Sequence, residues 1–284
     1  MVKPTWRNAA GKPVMMGVLN CTPDSFSDGG VHFDTHAAIQ AGLAMSEAGA
    51  SLIDVGGEST RPGAVPVSLQ EELERVIPVV KALASAGCAI SIDTMKAEVM
   101  RQAISAGAVL VNDVTALRYQ PESMVVVAES GVDVCLMHMQ GDPESMQERP
   151  HYENVFEDVC AFFEARIQVC MQAGIARSSM ILDPGIGFGK RLEDNLELIR
   201  RIPELKSRFS LPVLMGVSRK SFLGLLTGAN VDDREFETAA AVALCTCLGA
   251  DIHRVHDVVA HTKVVQVAQA IAHSSSSTCP DEVV

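Results

Sequence analysis

The stretch "CAISIDTMKAEVMRQAISAGAVLVNDV", residues 88–114, contains one full turn of a repeating pattern. It opens on an apolar run, residues 88–94, too short and too branched for a buried helix. Residues 96–107 then follow a helical pattern that closes on Gly107, where a left-handed C-cap suits glycine. A second apolar run, "VLVNDV", occupies residues 109–114. Near-continuous apolarity in both runs fits strands covered on both faces. Strand, helix and strand at this spacing predict a parallel pair joined by a right-handed crossover. Both runs end in polar residues, Asp93 in the first and Asn112 and Asp113 in the second.

Working outward, the unit recurs. Further apolar runs are "VMMGVLN" (14–20), "SLIDVGG" (51–57), "VCLMHM" (134–139), "MILDPG" (180–185), "PVLMGVS" (212–218) and "DIHRVH" (251–256). Helical patterns separate them. One starts at a cap, Asp34; another starts at Ser68 with Glu71 three residues on, a capping-box spacing. "LEDNLELIRRIPELK" reads as a single helix. Eight strand-then-helix units predict an α/β chain closed as a (β/α)8 TIM barrel in a single domain. An open, doubly wound sheet is the alternative, but no G-x-G-x-x-G opens a helix. The domain is expected to span residues 1–273, with 274–284, "SSSSTCPDEVV", as a disordered tail. "TAAAVALCTCLGA" is apolar nearly all round, as a helix at a homodimer interface or buried inside one chain would be.

Composition narrows the function. Of 284 residues, 48% are hydrophobic and only 4% aromatic, which argues against a sugar-binding or RNA-stacking surface. A net charge of −12 argues against nucleic acid as the partner, so an anionic ligand needs a local cationic cluster. The eight cysteines (Cys21, Cys88, Cys135, Cys160, Cys170, Cys245, Cys247 and Cys279) form no C-x-x-C pair. They read as reduced thiols of a cytoplasmic protein, not as a disulfide framework or zinc site. No apolar run reaches the ~18 residues of a membrane span.

In such a barrel the active site lies at the C-terminal ends of the strands. The polar residues there are Asn20, the "DVGGESTRPGA" segment, Asp93, Asn112 with Asp113, His138, Asp183 followed by "PGIGFGK", "SRKS" at 218–221, and Arg254 with His256. Taken singly, each has a plain structural explanation. Lys220 could neutralise Asp93 or Asp183, Ser218 could cap the next helix, and His138 and His256 could be hydrogen-bonded structural histidines. Polar groups at the ends of all eight strands at once make a site. Asp93, Asn112 and Asp183 with Lys220 suit a flat, neutral heterocycle with several N–H donors and a carbonyl. Arg61, Arg254 and His256, with Asn20 opposite, suit a phosphate or diphosphate, and Asn20 suits a Mg2+ shell. Arg219 is left over and is expected in a structural ion pair.

The ordered segments "GVLNCTPDSFSDGG", "IDVGGESTRPGA", "SIDT", "VNDV", "MHMQGDPESMQ", "LDPGIGFGK", "GVSRKSF" and "RVHDV" resemble the successive motifs of the bacterial dihydropteroate synthase family. The resemblance runs from the first strand to the last. It implies condensation of 6-hydroxymethyl-7,8-dihydropterin diphosphate with para-aminobenzoate, giving 7,8-dihydropteroate and diphosphate in folate biosynthesis. It puts Asp93, Asn112, Asp183 and Lys220 on the pterin, and Asn20 on Mg2+. Asn20, Thr60, Arg61, Arg254 and His256 fall on diphosphate positions, and Pro62, Phe188 and Ser221 on aminobenzoate positions. The catalytic set is then Asp93, Lys220, Arg254 and His256. Homodimerisation and sensitivity to sulfonamides as aminobenzoate mimics are further implications. "TALRY", residues 115–119, departs from the small, Gly-containing run usual in the family. The alternatives are a pterin-binding methyltransfer domain or a non-catalytic pterin-binding module. The first does not need the "NCTPDSFSDGG" and "STRPGA" loops or a diphosphate pocket, and the intact set Asn20, Arg61, Lys220, Arg254 and His256 weighs against the second.

Overall fold

The structure is a computed structural model that describes residues 12–22, 34–59, 65–141, 146 and 150–272. The predicted tail, residues 274–284, lies outside the described residues.

The strands are β1 (Val14–Asn20), β2 (Leu52–Gly56), β3 (Ile90–Asp93), β4 (Ala108–Asp113), β5 (Asp133–Met137), β6 (Met180–Asp183), β7 (Leu214–Met215) and β8 (Ile252–Val255). All pairings are parallel, in the order β6-β5-β4-β3-β2-β1-β8-β7. A parallel bridge between Leu182 and Val213 joins the two ends and closes the barrel. The eight-unit expectation is met.

Around the sheet run α1 (Thr35–Glu47), α2 (Leu69–Ser85), α3 (Ala97–Ala106), α4 (Pro121–Ser130), α5 (Val155–Gln172), α6 (Leu192–Arg200), α7 (Ile202–Phe209), α8 (Ser221–Thr227), α9 (Glu235–Cys247) and α10 (Val258–Ala272). The expected caps form: Asp34 Oδ1 accepts from the amides of His36 and Ala37, and Ser68 Oγ from that of Glu71. Glu71 itself pairs with Arg75 one turn on. The segment read as one helix is two. Pro203 stands in the first turn of α7; it has no N–H to donate to the Ile199 carbonyl and its ring crowds that carbonyl, so the helix breaks at Arg201.

The core has three clusters, the smallest being Val114, Met137, Met139 and Met146. Val14, Met16, Leu52, Leu110, Cys135, Ile181, Leu214 and Ile252 fill the barrel's interior, while a larger cluster packs the outer strand faces against the helices. This explains why the strands read as unbroken apolar runs: both faces are covered. Two residues beyond an interior apolar residue comes a polar one on the same face, as in Leu52–Asp54, Leu110–Asn112, Ile181–Asp183 and Ile252–Arg254. The interior is therefore an apolar floor with polar groups above it. The described cysteines are all free thiols, and no helix among the described residues is long and apolar enough to cross a membrane.

The "TALRY" departure has a visible consequence. Ala116 and Leu117 adopt left-handed backbone (φ 54° and 60°), where residues with a Cβ are strained by ~1–2 kcal/mol each. Asp113 holds them there. Its Oδ1 accepts from the Thr115 amide (2.7 Å) and hydroxyl (2.8 Å), and its Oδ2 from the Leu117 amide (2.9 Å). Asp113→Ala is expected to lower stability by about 2–4 kcal/mol in urea denaturation, since it leaves buried donors unmet in a strained loop. A loss below ~1 kcal/mol would show that the loop is held otherwise.

Candidate active site

The site is built on strand register. Asn20 stands beside Gly56, Gly56 beside Asp93, and Asp93 beside Asn112, so the last residues of β1 to β3 and the penultimate residue of β4 lie at one level. Asp183 ends β6 opposite Met137 of β5.

At the centre is an ion cluster. Arg254 Nε donates to Asp54 Oδ2 at 2.6 Å, and its Nη2 to Asp93 Oδ2 at 2.8 Å. Asn112 Nδ2 donates to the same Asp54 oxygen at 3.0 Å. Asp54 Oδ1 is buried without a partner among the described residues. Arg254 was expected with His256 in a cationic half; here the carboxylates of β2 and β3 bind it. Sequence reading missed Asp54. The available signal was its place two residues after Leu52, matching Asp183 after Ile181.

Burial pushes Asp93 up to about 7, with Arg254 opposing and the Asp54, Asp113 and Glu72 carboxylates adding to it. Asp183 is also raised by burial, against the Gly185 N–H it accepts (2.7 Å) and the Lys220 and Lys190 cations. Lys220 Nζ lies 4.0 Å from the centroid of the Phe188 ring, so the expected pterin-side lysine also covers an expected aminobenzoate wall. Ser221 opens α8 and is exposed.

The "SRKS" run differs in detail from its expectation. Ser218 caps no helix; its Oγ lies 2.9 Å from His256 Nδ1. Lys220 occupies the N-cap position of α8 without a side-chain bond to it. Arg219 is left-handed (φ 59°) and exposed. Its amide donates to Thr238 Oγ1 and its carbonyl accepts from Arg234, but no ion pair of Arg219 occurs among the described residues. His138 is buried, and burial with the Lys190 and Arg118 cations holds its imidazole far below the ordinary value, hence neutral. Burial likewise pulls Lys190 down to about 7, against the Asp183 carboxylate. Lys190 was not singled out from the sequence, because a lysine after "GFG" carries no local mark of burial.

Thr60, Arg61 and Pro62 lie outside the described residues. Among the described residues no cluster of three or more His, Cys, Asp or Glu side chains is placed to hold a metal. Asn20 supplies a neutral oxygen donor at the end of β1. Such a donor set fits Mg2+, which characteristically takes its remaining ligands from phosphate and water.

A family model described as "Pterin binding enzyme" matches residues 16–256. The dihydropteroate synthase of Escherichia coli K12 is 48% identical over 259 residues, covering 91% of this chain and 91% of that protein. Among solved structures, Yersinia pestis dihydropteroate synthase with a sulfonamide drug complex superposes with a TM-score of 0.87 at 46% identity, covering 92% of this chain and 94% of that one. The Xanthomonas albilineans enzyme in complex with 7,8-dihydropteroate gives 0.84 at 42% identity, covering 93% and 95%.

Asp93 sets an expected pH dependence. Its value rises from an ordinary 3.8 to about 7, so between these the folded state keeps a proton that the unfolded chain has released. More protons bound in the folded state means that stability falls as pH rises through this window. The lowered His138, His253 and Lys190 act with the opposite sign, so the Asp93 contribution is read as the difference between parent and Asp93→Asn in thermal melts of ligand-free protein between pH 5 and 8. Asp93→Asn, which has no carboxyl to titrate, should lose less in Tm than the parent between pH 5 and pH 8, whatever its Tm at a single pH. An unchanged slope in the variant would show that Asp93 is ionised throughout.

Proposed function

The chain belongs to the dihydropteroate synthases of the pterin-binding enzyme family, and we propose how the mouth of its barrel performs their reaction. It condenses 6-hydroxymethyl-7,8-dihydropterin diphosphate with para-aminobenzoate to 7,8-dihydropteroate and diphosphate, a transferase step of folate biosynthesis. The observation that carries the residue assignment is the convergence of Asp93, Asn112 and Asp183 on one mouth, with Arg254 bound to Asp93 and Lys220 over Phe188.

Asp93, Asn112 and Asp183 receive the N–H edge of the pterin, and Lys220 its carbonyl side. Carboxylates and amides held in a dry pocket recognise such an edge by paired hydrogen bonds. His256, Arg254 and Asn20, with Thr60 and Arg61 of the β2 loop, take the diphosphate. Mg2+, held through Asn20, would neutralise charge on the diphosphate as it leaves. The C–O bond from the pterin methylene to the diphosphate breaks, leaving a cation delocalised into the ring. Asp93, against the pterin, stabilises that charge. The aminobenzoate nitrogen then forms the new C–N bond and releases one of its protons to solvent. Pro62, Phe188 and Ser221 hold the aminobenzoate, Ser221 through its carboxylate. The same pocket makes the enzyme a sulfonamide target. The reaction needs no nucleic acid or membrane, and the free thiols suit a reducing cytoplasm.

The assembly we propose is a homodimer through α9 and α10. Phe236 and Leu244, eight residues apart on α9, are 89% and 60% exposed, and Val259, Val267 and Ile271 form an exposed stripe on α10. Apolar side chains so disposed mark a contact surface.

Diphosphate release from the pterin substrate should depend on added aminobenzoate and match dihydropteroate formed. Asp183→Asn is expected to weaken pterin binding by about 1–3 kcal/mol in calorimetric titration, the cost of an unmet buried group. Unchanged affinity would remove Asp183 from the pterin site. For the assembly, Leu244→Glu is expected to halve the mass seen by light scattering while the thermal unfolding remains cooperative. A dimer that survives this substitution would place the interface elsewhere.

A further inference from the structure

The loop between β6 and α6, residues 184–191, carries Phe188, on whose ring Lys220 rests. This loop docks backbone-to-backbone on the end of β5. A Cβ at Gly185 would stand 2.0 Å from the His138 carbonyl oxygen, and one at Gly189 2.6 Å from that of Gln140, so neither glycine can be replaced without moving the seam. Inside the seam Lys190 is only 4% exposed. Its Nζ reaches three acceptors: His138 Nδ1 at 3.0 Å, the His138 carbonyl at 3.2 Å and the Phe188 carbonyl at 3.0 Å. Three acceptors match the three N–H bonds of an ammonium. With Nδ1 accepting, the neutral His138 carries its proton on Nε2.

From the other side, Tyr152 Oη donates to the Gly189 carbonyl (2.7 Å) and the Gly187 amide to Asn195 Oδ1 (2.7 Å). The Phe188 carbonyl is thus tied through Lys190 to His138, the residue that follows β5. A lysine buried solely for stability would be an expensive choice there, since a methionine would fill the same space without desolvating a cation. What the ammonium adds is direction, since it fixes one carbonyl in one orientation.

We propose that Lys190 is a positioning residue that orients Phe188, and so the aminobenzoate wall, by tying the Phe188 carbonyl to His138, without itself touching either substrate. The inference rests on the reading of Phe188 as an aminobenzoate contact.

The test is steady-state kinetics of the full chain with both substrates varied. Lys190→Met keeps the stem and removes the donors. It is expected to raise KM for aminobenzoate about tenfold, with KM for the pterin diphosphate changed less than about twofold. Phe188→Leu should raise the aminobenzoate KM similarly. The double variant should add less than about twofold to Phe188→Leu alone, because the two residues act on one contact. Equal rises in both KM values, or multiplicative effects in the double variant, would overturn the inference and leave Lys190 structural. If Lys190→Met does not fold, His138→Leu and His138→Asn decide. Leucine deprives the ammonium of one acceptor and should raise the aminobenzoate KM, while asparagine restores an oxygen there and should return it toward the parent. Equal aminobenzoate KM in these two variants overturns the proposal. If Phe188→Leu leaves the aminobenzoate KM unchanged, the pocket assignment itself fails. A rise in Phe188→Leu without one in Lys190→Met overturns the positioning role alone.

Discussion

Two carboxylates, Asp54 and Asp93, share the barrel's interior with the guanidinium of Arg254, which binds both. Like charges in a dry cavity oppose each other's ionisation, and an opposite charge in bonding contact relieves this. Arg254 comes from β8, Asp54 from β2 and Asp93 from β3, while Asn112 of β4 joins through Asp54. The cluster therefore spans the seam at which β8 meets β1, and β1 contributes no charge to it. Site and barrel closure depend on one another. If β8 slipped by one residue, Arg254 would turn to the outer face and two buried carboxylates would lose their cation. Breaking such a pair from one side costs more than the pair contributes when whole.

Above this floor the loops are held in different ways. The β4 loop is strained at Ala116 and Leu117 and bound by the Asp113 carboxylate at its root. The β6 loop is seated on β5 at two glycines, with Lys190 in the seam. At the base of the β2 loop, Glu58 accepts from the Val67 amide (2.9 Å) and from Lys96 Nζ (2.7 Å), and Arg75 donates to the Gly57 carbonyl (2.7 Å). Helices α2 and α3 thus anchor the stem from which Thr60, Arg61 and Pro62 are carried. For the β4 loop a strand carboxylate fixes the root, for the β2 loop Arg75 and Lys96 reach in from the helices, and for the β6 loop the loop's own Lys190 makes the tie.

The fold, and the placing of Asp93, Asn112 and Asp183 at strand ends, were legible in the sequence for identifiable reasons. Helix starts at Asp34 and Ser68 are local events, decided by one side chain and the next three amides. The strand-then-helix rhythm is likewise local. Asp93, Asn112 and Asp183 stood out because each ends an apolar run, where a polar residue is conspicuous. Asp54 lies within its run, and Lys190 follows a glycine-rich turn, so neither was conspicuous. The break between α6 and α7 was missed although Pro203 marks it, because the apolar pattern continues across the break.

By itself the sequence determined the number and order of the units, the closed parallel barrel they imply, and the end of the barrel that bears the chemistry. These follow from periodicity and capping, which act over a few residues. Only the tertiary structure decided which alternate residues face inward. Strands covered on both faces are apolar on both faces, so their pattern does not distinguish interior from exterior. It also decided the partners. Arg254 and Asp54 are 200 residues apart, and Lys190 and His138 are 52 apart. No local rule pairs such residues. They meet because closure of the sheet places the ends of distant strands side by side, and low dielectric there makes each unpaired charge costly enough to select its neighbour.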